Sequence, residues 1–380
     1  MPVFDDGEKK LEGGATGIIS AFDYLNASAR EEAGKVRGVV EQYFARYPEP
    51  DRNALRGRLR SKIDIHHHAA MFELLLHELL LAEGCVIEAV EPSVPSSTHK
   101  PDFLVRSANG DRFYIEAIVP PCVSAAQAAA HRRLEEALNA IDEVNSADFF
   151  LSVFTTGLPD APVAFGTLRQ AVQAWVEGID YDAVKAAWDN GAPLELFEQT
   201  HYGAQFRVEP VPRLRSRGAL GERAIGARMG GVQIVEDHVA IRNAVVKKAN
   251  RYGDLDLPFV VAVNAMGQFS GEDQADFALF GDEQIVISGG EPRLQRAPTG
   301  VWYGPHGARK RGVSAVLSTE TLTPWSLGQR RARFFINPWA NRAFRPAIGI
   351  DVCRVQDERM IKEQGRAWYE VLGLPADWPG

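Results

Sequence analysis

The chain has 380 residues, which at roughly 150 residues per domain corresponds to two or three structural units. Hydrophobic residues make up 45% and charged residues 24%, a globular composition that excludes general disorder. A net charge of -8 argues against a surface uniformly attracted to phosphate. Local basic segments remain, which we interpret mainly as solvated charges, with phosphate contacts as the alternative: Arg52 to Lys62, Arg213 to Arg228, Arg309 to Arg311 and Arg330 to Arg333.

Three sequence features bear on the compartment. The longest apolar stretch, Leu74 to Ala82, is interrupted by polar residues and is shorter than the ~18 residues of a membrane span. The acidic, glycine-rich N-terminus lacks the basic start and apolar segment that are typical of a secretory signal. The three cysteines (Cys85, Cys122, Cys353) are widely spaced and odd in number, which predicts free, buried thiols. We therefore expect a cytoplasmic protein with no membrane association.

The first predicted elements are helical. From Thr16 to Tyr47 the apolar positions recur at helical spacing and Pro48 ends the pattern, which predicts a helical N-terminal arm over residues 1–60. A second, strongly apolar helix is predicted from Ile65 to Ala82, with Gly84 as its C-terminal stop.

Short β-like segments follow and define a predicted core over residues 61–160. They are Cys85 to Val90, Phe103 to Arg106 and Arg112 to Val119, the last two joined by a hairpin turn, then a helix from Ser124 to Val144 and a strand from Asp148 to Thr155. This α-β-β-β-α-β order predicts the α/β class, with a mixed sheet flanked by helices.

The remaining chain divides into three predicted parts. Residues 161–204 form a helical insertion, and residues 205–265 complete the core with a helix from Asp237 to Tyr252 and a strand from Leu257 to Asn264 in the same sheet. Residues 266–380 form a loop-rich and β-rich C-terminal α+β region, with β-like segments at Ile285 to Ser288, Ser314 to Ser318 and Arg333 to Ile336.

Two acidic residues stand out within the predicted strands. Alternation places Glu116 on one strand face with Tyr114 and Ile118, and Asp102 begins the preceding strand after Pro101. Carboxylates on adjacent strands can approach one point, where burial without a partner is costly and Mg²⁺ supplies compensation. The alternative is structural: Asp102 caps a turn, and Glu116 pairs with an arginine such as Arg106 or Arg112.

Three segments carry a resemblance to a known superfamily. Phe72-Glu-Leu-Leu-Leu-His-Glu-Leu79, Lys100-Pro-Asp-Phe-Leu-Val105 and Phe113-Tyr-Ile-Glu-Ala117 occur in the order found in PD-(D/E)xK nucleases, and the resembling region covers residues 60–155. The resemblance implies a restriction-endonuclease-like fold and a Mg²⁺ or Mn²⁺ site formed by Glu73, Asp102 and Glu116. Glu78 is an alternative to Glu73, and His77 shares the helix face of Glu73.

The sequence departs from the superfamily pattern at Ile118, where the resemblance implies a lysine that orients the attacking water and stabilises developing charge. Isoleucine can do neither. Lys100, two residues before Asp102, is the first candidate donor, and we include it among the expected catalytic residues. Further candidates for this role are Lys247, Lys248 and Gln127.

Two other motifs are interpreted structurally. Consecutive helical residues point about 100° apart, so His66, His67 and His68 cannot converge on one ion and are expected to form a polar helix start. Cys122 lacks the histidine pattern of a cysteine hydrolase.

The resemblance therefore implies a Mg²⁺-dependent endo- or exodeoxyribonuclease that hydrolyses phosphodiester bonds of nucleic acid, with DNA favoured. The alternative is an inactive nuclease-fold protein that binds nucleic acid or acts as a scaffold, which Ile118 would permit. The sequence is compatible with an oligomer.

Overall fold

A computed structural model describes residues 1–14, 19–49, 51–95, 97–121, 125–161, 164–214, 217–218, 223–230, 237–267, 273–288, 291–345, 347–356 and 359–380. The chain forms two compact units: unit 1, Met1–Cys122 with Val235–Gly380, and unit 2, Val123–Ile234. Helices and a large mixed sheet make this a mixed α/β protein. Within the described ranges, no helix is long and apolar enough to cross a membrane.

Unit 1 contains most of the secondary structure. Its helices are α1 (Ala21–Ala27), α2 (Glu31–Arg46), α3 (Arg52–Leu59), α4 (Asp64–Ala82), α8 (Asp237–Ala249), α9 (Asp273–Phe280) and α10 (Trp368–Leu372). Its strands are β1 (Val86–Val90), β2 (Phe103–Arg106), β3 (Arg112–Ile118), β8 (Phe259–Ala265), β9 (Glu283–Ser288), β10 (Glu291–Arg296), β11 (Tyr303–Gly304), β12 (Gly307–Ala308), β13 (Ala315–Glu320), β14 (Arg333–Ile336), β15 (Asp351–Gln356) and β16 (Arg359–Glu363).

The central sheet has the order β1-β2-β3-β8-β13-β14-β15-β16. Strands β1, β2 and β3 are antiparallel, and β3, β8 and β13 are parallel. Every residue of β8 is buried, as expected of a strand covered on both faces. The prediction that Leu257 to Asn264 joins the sheet of Arg112 to Val119 is confirmed, because β8 pairs with β3.

Helices cover both faces of this sheet. Helices α2 and α4 pack on one face, where Val36, Val40 and Phe72 belong to the same buried cluster as Ile115 of β3. Helices α8 and α9 pack on the other face, where Ile241 and Val245 cluster with alternate residues of β3 and β8. Helix α4 ends as predicted, with Gly84 in the left-handed conformation (φ 73°) directly after the helix.

Unit 2 has its own sheet and core. Its helices are α5 (Ala125–Asp142), α6 (Phe165–Gly178) and α7 (Tyr181–Asp189), and its strands are β4 (Phe149–Thr156), β5 (Phe197–His201), β6 (Ala204–Pro212) and β7 (Ile225–Gly230). The strand order is β5-β6-β4-β7. Alternate residues of β4, such as Leu151 and Val153, pack with Val172 of α6 in a separate buried cluster.

These observations correct the predicted boundaries of the core. The helix predicted at 124–144 and the strand predicted at 148–155 exist as α5 and β4, but β4 lies in the sheet of unit 2. In the central sheet the neighbour of β3 is instead β8, which follows helix α8 along the chain. The residues predicted as a separate C-terminal region instead extend the central sheet by β13 to β16. Strand β8 is apolar throughout except for Asn264, which suits a strand whose two faces are both covered by helices.

The predicted N-terminal arm also requires correction. The segment from Thr16 to Tyr47 contains two helices, α1 and α2, rather than one, and residues 15–18 lie outside the described ranges. Both helices contribute to the core of unit 1, through residues such as Phe22 and Tyr43. Cys85 and Cys353 are free and buried, as predicted, and Cys122 lies outside the described residues.

Candidate active site

The candidate site begins with a cross-strand pair of acids. Phe103 of β2 is opposite Ile115 of β3, and continuing this antiparallel register places Asp102 opposite Glu116. Opposed residues have Cβ atoms about 5 Å apart and share a face of the sheet. The backbone N–H of Ala117 donates to Oδ2 of Asp102 at 2.6 Å, which ties the Asp102 side chain to the strand of Glu116.

Glu116 is buried and receives charged and neutral donors from the segment at the end of α8. The ammonium of Lys248 donates to Oε1, and the hydroxyl of Tyr252 donates to Oε2 at 2.6 Å. The guanidinium of Arg251 lies 3.6 Å from Oε1. Burial and the negative charge of Glu116 raise the pKa of Tyr252, so its hydroxyl remains a proton donor at neutral pH.

The pattern of α8 explains why Lys248 reaches this carboxylate. Ile241, Val245 and Lys248 are spaced by four and three residues, so they share one helix face, and all three are buried. That face packs on the sheet face that carries Tyr114. Lys247, one residue earlier, is exposed because a one-residue step rotates the side chain by about 100°.

Asp102 is the least compensated acid of the site. Burial raises its pKa well above the ordinary aspartate value, and the negative charges of Glu116 and Glu73 raise it further. The Ala117 N–H and the positive charge of Lys248 oppose this increase in pKa. Among the described residues, the Ala117 amide is the one hydrogen-bond donor to the Asp102 carboxylate. This carboxylate would therefore gain most from an added cation.

Glu73 approaches from the helix-covered face opposite α8, and its carboxylate is fully engaged. The Arg58 guanidinium donates to both oxygens, with Nη2 to Oε1 at 2.9 Å, and the Tyr47 hydroxyl donates to Oε1 at 2.7 Å. Glu73 is thus paired with a basic side chain rather than left free for a metal ion. Burial and the charge of Glu73 raise the pKa of Tyr47, which keeps its hydroxyl protonated.

This arrangement predicts a stability effect at Arg58. Replacing it (Arg58→Met) leaves the buried Glu73 carboxylate with Tyr47 as its hydrogen-bond donor, so we expect the free energy of unfolding to fall by about 1–3 kcal/mol. Urea unfolding followed by circular dichroism measures the change. Arg56→Met is the matched control, because Arg56 donates a hydrogen bond to the exposed Pro2 carbonyl rather than to a buried acid. Equal losses in both variants would contradict a specific role for the Arg58 pair.

The other residues predicted for the site are Lys100, Glu78 and Gln127. The side chain of Lys100 is exposed, and its backbone carbonyl accepts a hydrogen bond from Tyr252 at 3.2 Å. Glu78 is paired with Arg46, and its Oε1 lies 3.1 Å from Nδ1 of His77. The Gln127 side chain lies outside the described residues.

The arginines proposed as structural partners of Glu116 have another role. Arg106 and Arg112 both pair with Glu88, on the edge strand β1. The histidine run occupies the first turns of α4, where the buried ring of His67 lies with Nδ1 2.6 Å from the Leu59 carbonyl oxygen. The predicted polar helix start therefore agrees with the position of this run.

Three functional neighbours were absent from the sequence prediction: Tyr47, Arg58 and Tyr252. Tyr252 follows α8 by three residues, and only the packing of that turn brings it to Glu116. Tyr47 and Arg58 are at the ends of α2 and α3, and no local pattern connects them with Glu73. The sequence does carry one signal for the cation of this site: Lys248 continues the helical spacing of the apolar residues Ile241 and Val245.

A bound metal ion requires several ligand atoms within reach of one point. In the described part of the chain, no three His, Cys, Asp or Glu side chains are grouped closely enough to hold a metal. Glu73 is held by Arg58 and Tyr47, and Glu116 by Lys248 and Tyr252, which leaves Asp102 as the acid with a single hydrogen-bond donor. Mg²⁺ typically takes one or two carboxylates, completed by waters and substrate phosphate, so an ion at Asp102 and Glu116 would need waters and phosphate for its remaining ligands.

Family models, curated proteins and solved structures were each compared with this chain, and none matches it.

Proposed function

We propose that this protein is a metal-dependent phosphodiesterase that hydrolyses nucleic acid, with DNA as the favoured substrate. The observation that carries the proposal is the contact of the Lys248 ammonium with Glu116, beside the poorly compensated Asp102. A cation and two acids in one partly buried cluster are the groups that phosphodiester hydrolysis requires. The order α4-β1-β2-β3-α8-β8, with β8 parallel to β3, supports a restriction-endonuclease-like core.

Each residue has a proposed role. Asp102 and Glu116 would hold Mg²⁺ or Mn²⁺, which when bound polarises the scissile phosphate and lowers the pKa of an attacking water. Lys248 donates to negative charge that develops at the attacked phosphate and thereby supplies the function absent at Ile118. Tyr252 orients Glu116 through its hydrogen bond. Glu73, paired with Arg58 and Tyr47, is not itself a metal ligand in this proposal.

A cleavage assay tests this function. The purified wild type should degrade single- or double-stranded DNA when Mg²⁺ or Mn²⁺ is added and lose that activity with excess EDTA. Asp102→Asn and Lys248→Met should each reduce the rate about 100-fold or more, because each removes a group used in the transition state. Lys100→Ala should retain most activity, because the exposed Lys100 contacts Tyr252 through its backbone carbonyl.

The assay also separates the proposal from its alternatives. Equal cleavage by the wild type and by Asp102→Asn would assign the activity to a contaminant or another site. Retained DNA binding without cleavage in every metal condition would favour the non-catalytic nuclease-fold alternative. A large loss in Lys100→Ala with little loss in Lys248→Met would return the donor role to Lys100, as the sequence first indicated.

A further inference from the structure

A cavity in unit 1, apart from the acid pair, has the chemistry of an anion site. It measures about 190 Å³ and is lined by Arg330, Arg331 and Arg333 together with Glu320 and Asp351. Three arginines against two carboxylates leave an excess of one positive charge. The volume corresponds to about six water molecules at ~30 Å³ each, which is enough for a tetrahedral oxyanion.

The three arginines of this cavity differ in the groups that they contact. Arg331 donates to both carboxylate oxygens of Asp351, at 2.7 and 3.0 Å, and an Arg333 nitrogen lies 3.5 Å from the same group. Arg330 has a buried Nε with no hydrogen-bond acceptor among the described residues. Arg331 and Arg333 contact Asp351, whereas Arg330 has no carboxylate partner among the described residues, so its guanidinium is the cation of this cavity with most to gain from an added anion.

Sheet register connects this cavity to the acid pair. One transverse row runs from Ile118 through Val263 and Ser318 to Arg333 and Asp351. Residues of one row share a sheet face, and Ile118 lies on the same face as Glu116, two residues away along β3. Adjacent strands are about 4.8 Å apart, so the three steps from β3 to β14 place Arg333 roughly 14 Å from the strand of Glu116.

We propose that the Arg330–Arg331–Arg333 cavity binds a backbone phosphate of the same nucleic-acid strand whose scissile phosphate is held at Asp102 and Glu116. This inference rests on the proposed nuclease function and adds to it a second, non-catalytic contact with the substrate. At ~3.4 Å of axial rise per phosphate, a spacing of roughly 14 Å is at most about four nucleotides, because the strand also winds around the helix axis. The contact would set the position of the strand and carry no base information.

The first measurement uses inorganic phosphate as the probe. Phosphate should raise the melting temperature of the full chain above that in chloride at equal ionic strength, and Arg330→Gln should abolish this difference. Arg359→Gln, an exposed arginine on β16, is the matched control and should retain it. Equal phosphate stabilisation in the wild type and Arg330→Gln would overturn the anion site.

The second measurement uses fluorescein-labelled DNA oligonucleotides in EDTA, so that binding is observed without cleavage. Arg330→Gln should weaken binding several-fold and reduce the slope of log affinity against log salt by about one, whereas Arg359→Gln should change neither. A methylphosphonate, which removes one phosphate charge, should cancel the difference between wild type and Arg330→Gln when placed about two to four nucleotides from the cleaved bond.

The outcomes separate this inference from the nuclease proposal. Unchanged oligonucleotide affinity in Arg330→Gln, with Asp102-dependent cleavage intact, overturns the phosphate contact alone. Loss of phosphate stabilisation without any change in oligonucleotide affinity identifies a site for a small free anion and also overturns the nucleic-acid assignment. A wild type that neither binds nor cleaves DNA overturns both proposals.

Discussion

Asp102→Asn is expected to raise the free energy of unfolding at neutral pH while removing the stabilisation by divalent metal. The substituted amide keeps an oxygen that accepts from the Ala117 N–H but carries no charge beside Glu116 and Glu73. In the wild type, burial and those two charges disfavour ionised Asp102. Removing the charge removes that unfavourable interaction.

The pH dependence follows from the direction of the Asp102 shift. Its folded-state pKa lies well above the ordinary value of 3.8, so the folded protein retains this proton to higher pH than the unfolded chain does. The contribution of Asp102 to stability is therefore greatest below pH 3.8 and declines as the pH rises through the folded-state pKa. Above that pKa Asp102 is ionised in the folded protein, and its buried charge destabilises the fold. At such pH values Asp102→Asn should be more stable than the wild type.

Metal should act on the same group. Added Mg²⁺ or Ca²⁺ should raise the melting temperature of the wild type, because an ion bound only to the folded state stabilises it by about 2.7 kcal/mol at 100 times its dissociation constant. Asp102→Asn should show little or no increase. Differential scanning fluorimetry across pH and metal concentration measures both effects. An equal metal-dependent increase in the two proteins would show that the ion binds elsewhere.

The second large effect is expected at Lys248. Lys248→Met leaves the buried carboxylate of Glu116 without its closest cation, so we expect a loss of about 3–5 kcal/mol in the free energy of unfolding and at least about a 100-fold loss of cleavage rate. Lys247→Met is the matched control, because the adjacent Lys247 is exposed and should affect neither quantity.

A relocated lysine distinguishes a catalytic role of this charge from a purely structural one. Ile118 shares the strand face of Glu116 and lies two residues further along β3. Adding Ile118→Lys to Lys248→Met should restore a substantial fraction of the metal-dependent cleavage rate. Restored folding without restored cleavage would show that the Lys248 charge serves only to neutralise Glu116. Recovery of both would support the assignment of Lys248 to the function missing at residue 118.

Local pattern was sufficient for the elements themselves. Helical spacing predicted α2, α4 and α8, and alternation with turn residues predicted the hairpin of β2 and β3. These signals depend on the periodicity of side chains along one segment, so the sequence carries them directly. The same alternation placed Glu116 and Ile118 on one face, and the adjacency of Asp102 followed from the short hairpin.

Long-range pairing decided the remainder. Periodicity identifies a strand but not its neighbour, so β4 was predicted in the core sheet although it pairs with β6 and β7 of unit 2. Packing between distant segments also decided which cation lies beside the two acids. Lys100 is close to Asp102 along the chain, whereas Lys248 is 132 residues from Glu116 and reaches it because α8 packs over β3 and β8. The sequence determined the elements and the two adjacent acids, while tertiary packing decided which cation joins them, since contacts between distant segments form only when the sheet and its helices pack together.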